Sequence, residues 1–309
     1  MTCRKPPAVR SGDRVAVVAA SSPFDRQAFE AGIAEIRRLG FEPVYDRRVF
    51  DHTRYLAGSA SSRASALLDA WLDPRVAAVV TARGGFGSAQ ILPFVAGRLP
   101  GLPPKWLVGY SDVTSLLAHA STRAGLVCAH GPSVAGGLSG GEPCYDRSSL
   151  LRVLTGESPL GAMTAPGLEV LAAGEADGWL HGGNLTQLAA SLGTPYAFDP
   201  PDGTILLLED VNERPYRIER LLTQLAQAGI LARARGLLFG EMPGCQEADG
   251  SLAARDIIPA AIADFEGPVL FGFPTGHTRG PAVTLPLGVR ARLLSHPVPT
   301  LVIDERTAA

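Results

Sequence analysis

Charge of either sign, aromatic rings and cysteine are all sparse in this chain. Charged residues make up 19% of 309, aromatics 6%, and the formal net charge is -2. No stretch gathers Lys and Arg with interleaved aromatics, so nucleic acid is not an expected partner. No apolar run reaches membrane-spanning length, and Met1 to Pro7 carries no apolar segment of the kind that opens a secretory signal. A cytoplasmic protein with no membrane partner is therefore expected. The four cysteines, Cys3, Cys128, Cys144 and Cys245, are scattered without a C-x-x-C pair, which speaks against a disulfide frame or a zinc site. The six histidines form no H-E-x-x-H motif, so neither a metal nor an organic cofactor is expected. There is, by contrast, ample apolar material, at 46% of residues, for one large or two ordinary domains.

The first half alternates strand and helix signals. Val15–Ala19 and Val76–Ala82 read as buried strands, Phe29, Ile33 and Ile36 recur at helical spacing before Gly40, and Leu67, Leu68, Trp71 and Leu72 mark a second helix. A further strand ends at Tyr110, and a helix follows from Asp112 to Ala124. Such alternation predicts a Rossmann-like parallel sheet with its chemistry at the carboxyl ends of the strands. Beyond Ser148 the rhythm changes. The expected organisation is an α/β domain over 1–158, a linker or crossing strand over 159–177, and a smaller β-rich mixed domain over 178–309, with the site in the cleft between them.

Four places invite chemistry. Ser111 follows Gly109-Tyr110 at a strand-to-helix junction, where a hydroxyl can be pushed outward and helix-start N–H groups can meet an oxyanion. Val113 stands where the G-x-S-x-G pattern has its second glycine, so by its own surroundings the serine reads first as a helix cap. Arg83-Gly84-Gly85-Phe86-Gly87 ends a strand in a loop that lets backbone approach a ligand, with Arg83 available to an anion. It matches neither dinucleotide nor P-loop spacing. Glu209 closes the apolar run Ile205–Leu208, either as a site carboxylate or as the point where the chain meets water. His277 lies in a glycine-rich loop beyond another apolar run, a setting suited to a general base. His130 and His181, also beside glycines, remain rivals. His119 reads as a packing residue and His296 as a turn residue.

Taken in order, Arg83–Ser88, Gly109-Tyr110-Ser111-Asp112, His130-Gly131-Pro132, Gly182-Gly183-Asn184-Leu185, Leu208-Glu209-Asp210 with Tyr216–Arg220, and Gly276-His277 followed by Leu285–Gly288 resemble the LD-carboxypeptidase family of serine peptidases. That family includes the microcin C self-immunity peptidases. The likeness runs from about Val15 to Leu294. Phe86 stands where a tyrosine is common, and the stretch after His277 lacks a frequent Asn or Gln.

The resemblance implies a Ser111–Glu209–His277 triad and oxyanion donors at the backbone N–H groups of Gly85 and Asp112. It implies hydrolysis of the bond between an L-centre and a C-terminal D-amino acid in murein tetrapeptides, and a homodimer. Arg83, Gly84, Asn184 and Glu213 are the expected substrate contacts, with a small peptide or muropeptide as partner. Cleavage of a peptidyl-nucleotide toxin and a non-catalytic anion-binding module are the competing expectations.

Overall fold

The computed structural model describes residues 2–309. The first half alternates β1 (Arg14–Val18), α1 (Arg26–Arg38), β2 (Glu42–Val44), α2 (Ala60–Leu72), β3 (Val76–Thr81), α3 (Leu92–Val95), β4 (Trp106–Gly109), α4 (Thr114–Thr122), β5 (Cys128–His130) and α5 (Arg147–Thr155). The second contains β6 (Gly161–Met163), β7 (Glu169–Ala172), β8 (Glu175–Asn184), α6 (Leu185–Ser191), β9 (Thr204–Glu209), α7 (Pro215–Gln227), β10 (Ala234–Gly240), α8 (Ala254–Ala261), β11 (Val269–Phe273), β12 (Leu285–Leu287), β13 (Val289–Leu294) and β14 (Thr300–Ile303).

Local chemistry explains the element ends that matter. Asp25 caps α1 by accepting from the Ala28 N–H at 2.8 Å, and Phe29, Ile33 and Ile36 turn inward from one face. Pro215 opens α7, where its missing N–H costs nothing, and Ile218, Leu222 and Leu225 form its buried stripe. The strands at the sheet centres are apolar on both faces, as parallel strands covered by helices must be.

The first sheet runs β12-β5-β4-β3-β1-β2, and β1 to β5 are parallel as expected. The second is an eight-stranded sheet ordered β6-β14-β13-β8-β9-β10-β11-β7. Its middle, β8 to β11, is itself parallel, flanked by antiparallel β13, β14 and β6 on one side and β7 on the other. Along β9 the side chains alternate. Ile205 and Leu207 enter a core continuous with the first sheet, while Leu206 and Leu208 join Ile218, Leu222 and Ile258 beneath α7 and α8.

Two boundaries differ from the sequence reading. Residues 159–177 are not a free linker, because β6, β7 and the start of β8 lie there and pair into the second sheet. Their short, weakly periodic runs concealed this. Nor does the segment 178–309 stay within its own sheet: β12 crosses back and pairs antiparallel with β5, placing Leu285 opposite His130. The two halves are thus stitched together beside the site, and the largest apolar cluster passes through both.

Candidate active site

The carboxyl ends of the parallel strands in both sheets come together, the Asn184 N–H at the end of β8 donating to Thr114 Oγ1 at the start of α4 at 3.0 Å. From the first sheet, β4 ends at Gly109, and Ser111 follows with a left-handed backbone, φ +62°. A non-glycine residue there is strained by about 1–2 kcal/mol, and such strain is held only where the surroundings impose it. A short 3-10 turn, Ser111–Val113, leads into α4. The absent second glycine is explained by packing. Val113 is fully buried, and its Cγ1 lies 2.7 Å from where a Cβ on Gly109 would stand, so glycine before the serine makes room for valine after it.

The glycine loop lies directly against this turn. A Cβ on Gly84 would be 3.0 Å from Ser111 Cβ and 3.2 Å from its Oγ. Gly85 has φ +104°, and a Cβ there would come within 2.5 Å of Ser22 Oγ, so no other residue fits without moving the loop. Ser22 braces the loop, accepting from the Phe86 N–H at 3.0 Å. Among the described residues, neither the Gly85 N–H nor the Asp112 N–H has an acceptor in the chain, and Ser111 makes no side-chain hydrogen bond.

From the second sheet come the carboxylate and the imidazole. Glu209 ends β9 with no exposure, and its Oε2 accepts from the His277 backbone N–H at 2.9 Å and from Nδ1 at 2.7 Å. Holding the proton on Nδ1 leaves Nε2 free to accept one. Gly276, at φ +66°, allows this approach, since a Cβ would stand 2.6 Å from the Glu209 carboxyl carbon. Burial drives the His277 imidazole down, yet the hydrogen bond and charge of Glu209, with Asp210 behind it, raise it above the ordinary histidine value. Burial likewise opposes ionisation of Glu209, but His277, with a smaller part from His130, brings it below the ordinary carboxylate value. The pair is joined to the nucleophile turn through Tyr110, whose ring lies 5.1 Å from the His277 ring.

Of the other expected residues, Arg83 is exposed beside Gly84 and donates to the Pro23 carbonyl at 2.9 Å. Glu213 is half-buried beyond β9 and pairs with Arg217 at 3.3 Å. Asn184, an expected substrate contact, has its side chain engaged within the protein. It is 5% exposed, its Oδ1 caps α6 by accepting from the Gln187 N–H, and its Nδ2 donates to Asp210 at 3.1 Å. An amide committed at both ends positions the Asp210 loop. The rival histidines are disfavoured as bases because burial lowers both His130 and His181 to about 4.

Sequence reasoning missed the support beneath the glycine loop. The Asp112 carboxylate accepts from Ser21 Oγ at 2.5 Å and the Ser88 N–H at 2.8 Å. Arg63, 2% exposed, donates to the carbonyls of Ala20 at 2.5 Å and Gly87 at 2.7 Å, and to Gln90 Oε1 at 2.7 Å. Its signal was present: Arg63, Leu67 and Trp71 share one helix face, and a charge on an apolar face needs a partner. Among the described residues no group of three or more His, Cys, Asp or Glu is arranged to hold a metal ion, and no helix is long and apolar enough to cross a membrane.

This architecture and sequence have recognisable kin. A microcin C7 self-immunity protein, MccF, has the same fold, with a TM-score of 0.90 at 22% identity over 99% of this chain and 100% of that one. A murein tetrapeptide carboxypeptidase of Pseudomonas aeruginosa is 34% identical over 85% of this chain and 88% of its own length. A Bacillus subtilis protein named as a probable murein peptide carboxypeptidase is 33% identical over 94% and 91%. The models of the LD-carboxypeptidase N-terminal and C-terminal domains match residues 15–131 and 177–293. With both domains matched in order and relatives above 30% identity along nearly its whole length, the chain belongs to the LD-carboxypeptidase family of peptidases.

Proposed function

We propose that this protein is a serine-type LD-carboxypeptidase that removes the C-terminal D-amino acid from murein tetrapeptides, with Ser111, Glu209 and His277 as its triad. The observation that carries the reading is the Glu209–His277 pair at 2.7 Å, docked through Tyr110 against a strained serine turn. His277 Nε2 takes the Ser111 proton as Oγ attacks the carbonyl carbon, and Glu209 stabilises the imidazolium that results. The oxyanion is met by the free N–H groups of Gly85 and Asp112, each worth on the order of 3 kcal/mol to the transition state. His277 then protonates the departing amine. Water, deprotonated by the same base, hydrolyses the acyl-enzyme and restores Ser111. Arg83, exposed beside Gly84, suits the terminal carboxylate of the leaving D-amino acid, and Gly84 keeps its path to Ser111 open. Glu213 is free on one side to meet a substrate amine. The murein reading is supported by the Pseudomonas aeruginosa relative's name, and it carries with it a cytoplasmic homodimer.

The exposed pair Phe86 and Tyr55, with ring centroids 5.8 Å apart beside the glycine loop, gives a peptidyl-nucleotide substrate some footing as a second reading. Purified protein incubated with murein tetrapeptide and with a peptidyl adenylate, followed by mass analysis, separates the two. Loss of one D-alanine from the tetrapeptide is the expected result. Cleavage of the adenylate alone overturns the murein assignment, and cleavage of neither overturns both.

A further inference from the structure

His130 is fully buried at the end of β5, and among the described residues neither of its ring nitrogens has a hydrogen-bond partner. It is not alone. Glu209 Oε1, the carboxylate oxygen that does not face His277, is also buried and unpartnered, as are the hydroxyls of Thr284 and Thr278. These belong to adjoining pieces of structure. Thr284 immediately precedes β12, whose Leu285 lies opposite His130 in register, and a Cβ on the neighbouring Gly131 would stand 3.1 Å from Thr284 Oγ1. The Tyr110 ring lies 6.3 Å from the His130 ring and 5.1 Å from the His277 ring, and the charges of Glu209 and His277 both act on His130. Buried polar atoms left without partners are costly and rare in native proteins, and those on adjoining segments are the groups that an internal water bridges.

We propose that His130 is a positioning residue for the acid–base pair, joined to Glu209 Oε1 through internally bound water that Thr284 helps to hold. This rests on the triad reading above and adds a second attachment for the carboxylate. Oε2 is fixed by two donors from His277. Oε1 would otherwise be free to rotate the group and slacken the contact with Nδ1. A neutral imidazole suits this role, since it can donate through one nitrogen and accept through the other, and burial holds His130 neutral well below pH 6. The charged and titratable groups facing this region are Glu209 at the end of β9 with Asp210 just after it, His277 from the loop before β12, Tyr110 and Arg83 from the loops after β4 and β3, and Cys144 from the segment before α5.

The test compares His130→Phe, which fills the space without polarity, with His130→Gln, which restores a donor and an acceptor, using D-alanine release from murein tetrapeptide. His130→Phe is expected to lower kcat about 10- to 100-fold with KM within twofold, and to shift the acidic limb of kcat/KM. His130→Gln is expected to recover most of both. Wild-type kcat and pH profile in His130→Phe would overturn the proposal. So would equal impairment of both variants with an unmoved acidic limb, since that is what packing alone would give. Should either variant fail to fold, a high-resolution crystal structure of the wild-type protein decides: ordered water bonded to both Glu209 Oε1 and a His130 nitrogen is expected, and its absence from electron density overturns the idea. Ser111→Ala is run in parallel. Activity in that variant would instead refute the triad itself.

Discussion

Replacing Glu209 by Gln removes one charge from the centre of the site while keeping its shape. The wild-type carboxylate receives two hydrogen bonds from His277, at 2.9 and 2.7 Å, in a position with no exposure. A hydrogen bond to a charged group contributes about 1.5–3 kcal/mol, against about 0.5–1.5 kcal/mol for a neutral pair. Only the Nδ1 bond is made by the imidazolium, and its weakening costs about 1 kcal/mol; with the lost attraction between the two charges, about 4 kcal/mol at an effective dielectric of 20, on the order of 5 kcal/mol is removed from the transition state. At 1.36 kcal/mol per factor of ten, kcat should fall about 10³- to 10⁴-fold. The pH profile gives an independent sign. In the wild type, Glu209 raises His277 against the opposing effect of burial. With the carboxylate gone, burial is opposed only by Asp210, so the acidic limb of kcat/KM should move to lower pH. Steady-state release of D-alanine across pH 5–9 measures both quantities, with circular dichroism confirming the fold. A loss of kcat smaller than tenfold, or an acidic limb that stays or moves upward, would refute the assignment of Glu209 as partner of the base.

Three further outcomes are expected. Ser111→Gly should abolish turnover yet stabilise the protein by about 0.5–1 kcal/mol, because glycine accepts φ +62° without penalty while adding backbone entropy to the unfolded chain; thermal denaturation checks it, and a lowered Tm would contradict it. Arg63→Met should cost about 3 kcal/mol or more, as it strands the carbonyls of Ala20 and Gly87, and urea unfolding reads the change. For the ion pair, a raised His277 stabilises the fold fully below the ordinary histidine value and ceases to as pH rises through its folded value. A lowered Glu209 stabilises it above the ordinary carboxylate value and ceases to as pH falls through its folded value. The Tm gap between wild type and His277→Ala should therefore be widest between about pH 4.3 and 6.5 and narrow outside that window.

Much of the first domain was legible because strands buried on both faces and helices with one apolar stripe leave unmistakable periods, as in Val76–Thr81 and Phe29–Ile36. The second half was harder. β6 and β7 are only three and four residues long, half-exposed at the sheet margins, and carry no usable alternation. That β8 to β11 form a parallel centre depends on pairings across the chain that no local pattern encodes. The candidate site divides in the same way. Ser111, Glu209 and His277 each stood at the end of an apolar run, and the structure brings the last two into hydrogen-bond contact and sets Tyr110 between them and the serine turn. Taken alone, Ser111 reads first as a helix cap, and its left-handed backbone against Gly84 separates it from one. That the Asn184 side chain caps α6 and holds Asp210 was not legible, because glycine-flanked polar residues look alike in sequence whether they meet a ligand or cap a helix.

Labelling with a fluorophosphonate probe, followed by peptide mapping, bears most directly on the claim that Ser111 is a nucleophile activated by His277 and Glu209. A single adduct on the Ser111 hydroxyl of the wild-type protein is predicted, lost in Ser111→Ala and strongly slowed in His277→Ala. No adduct, or one on another residue while D-alanine release persists in Ser111→Ala, would contradict the account.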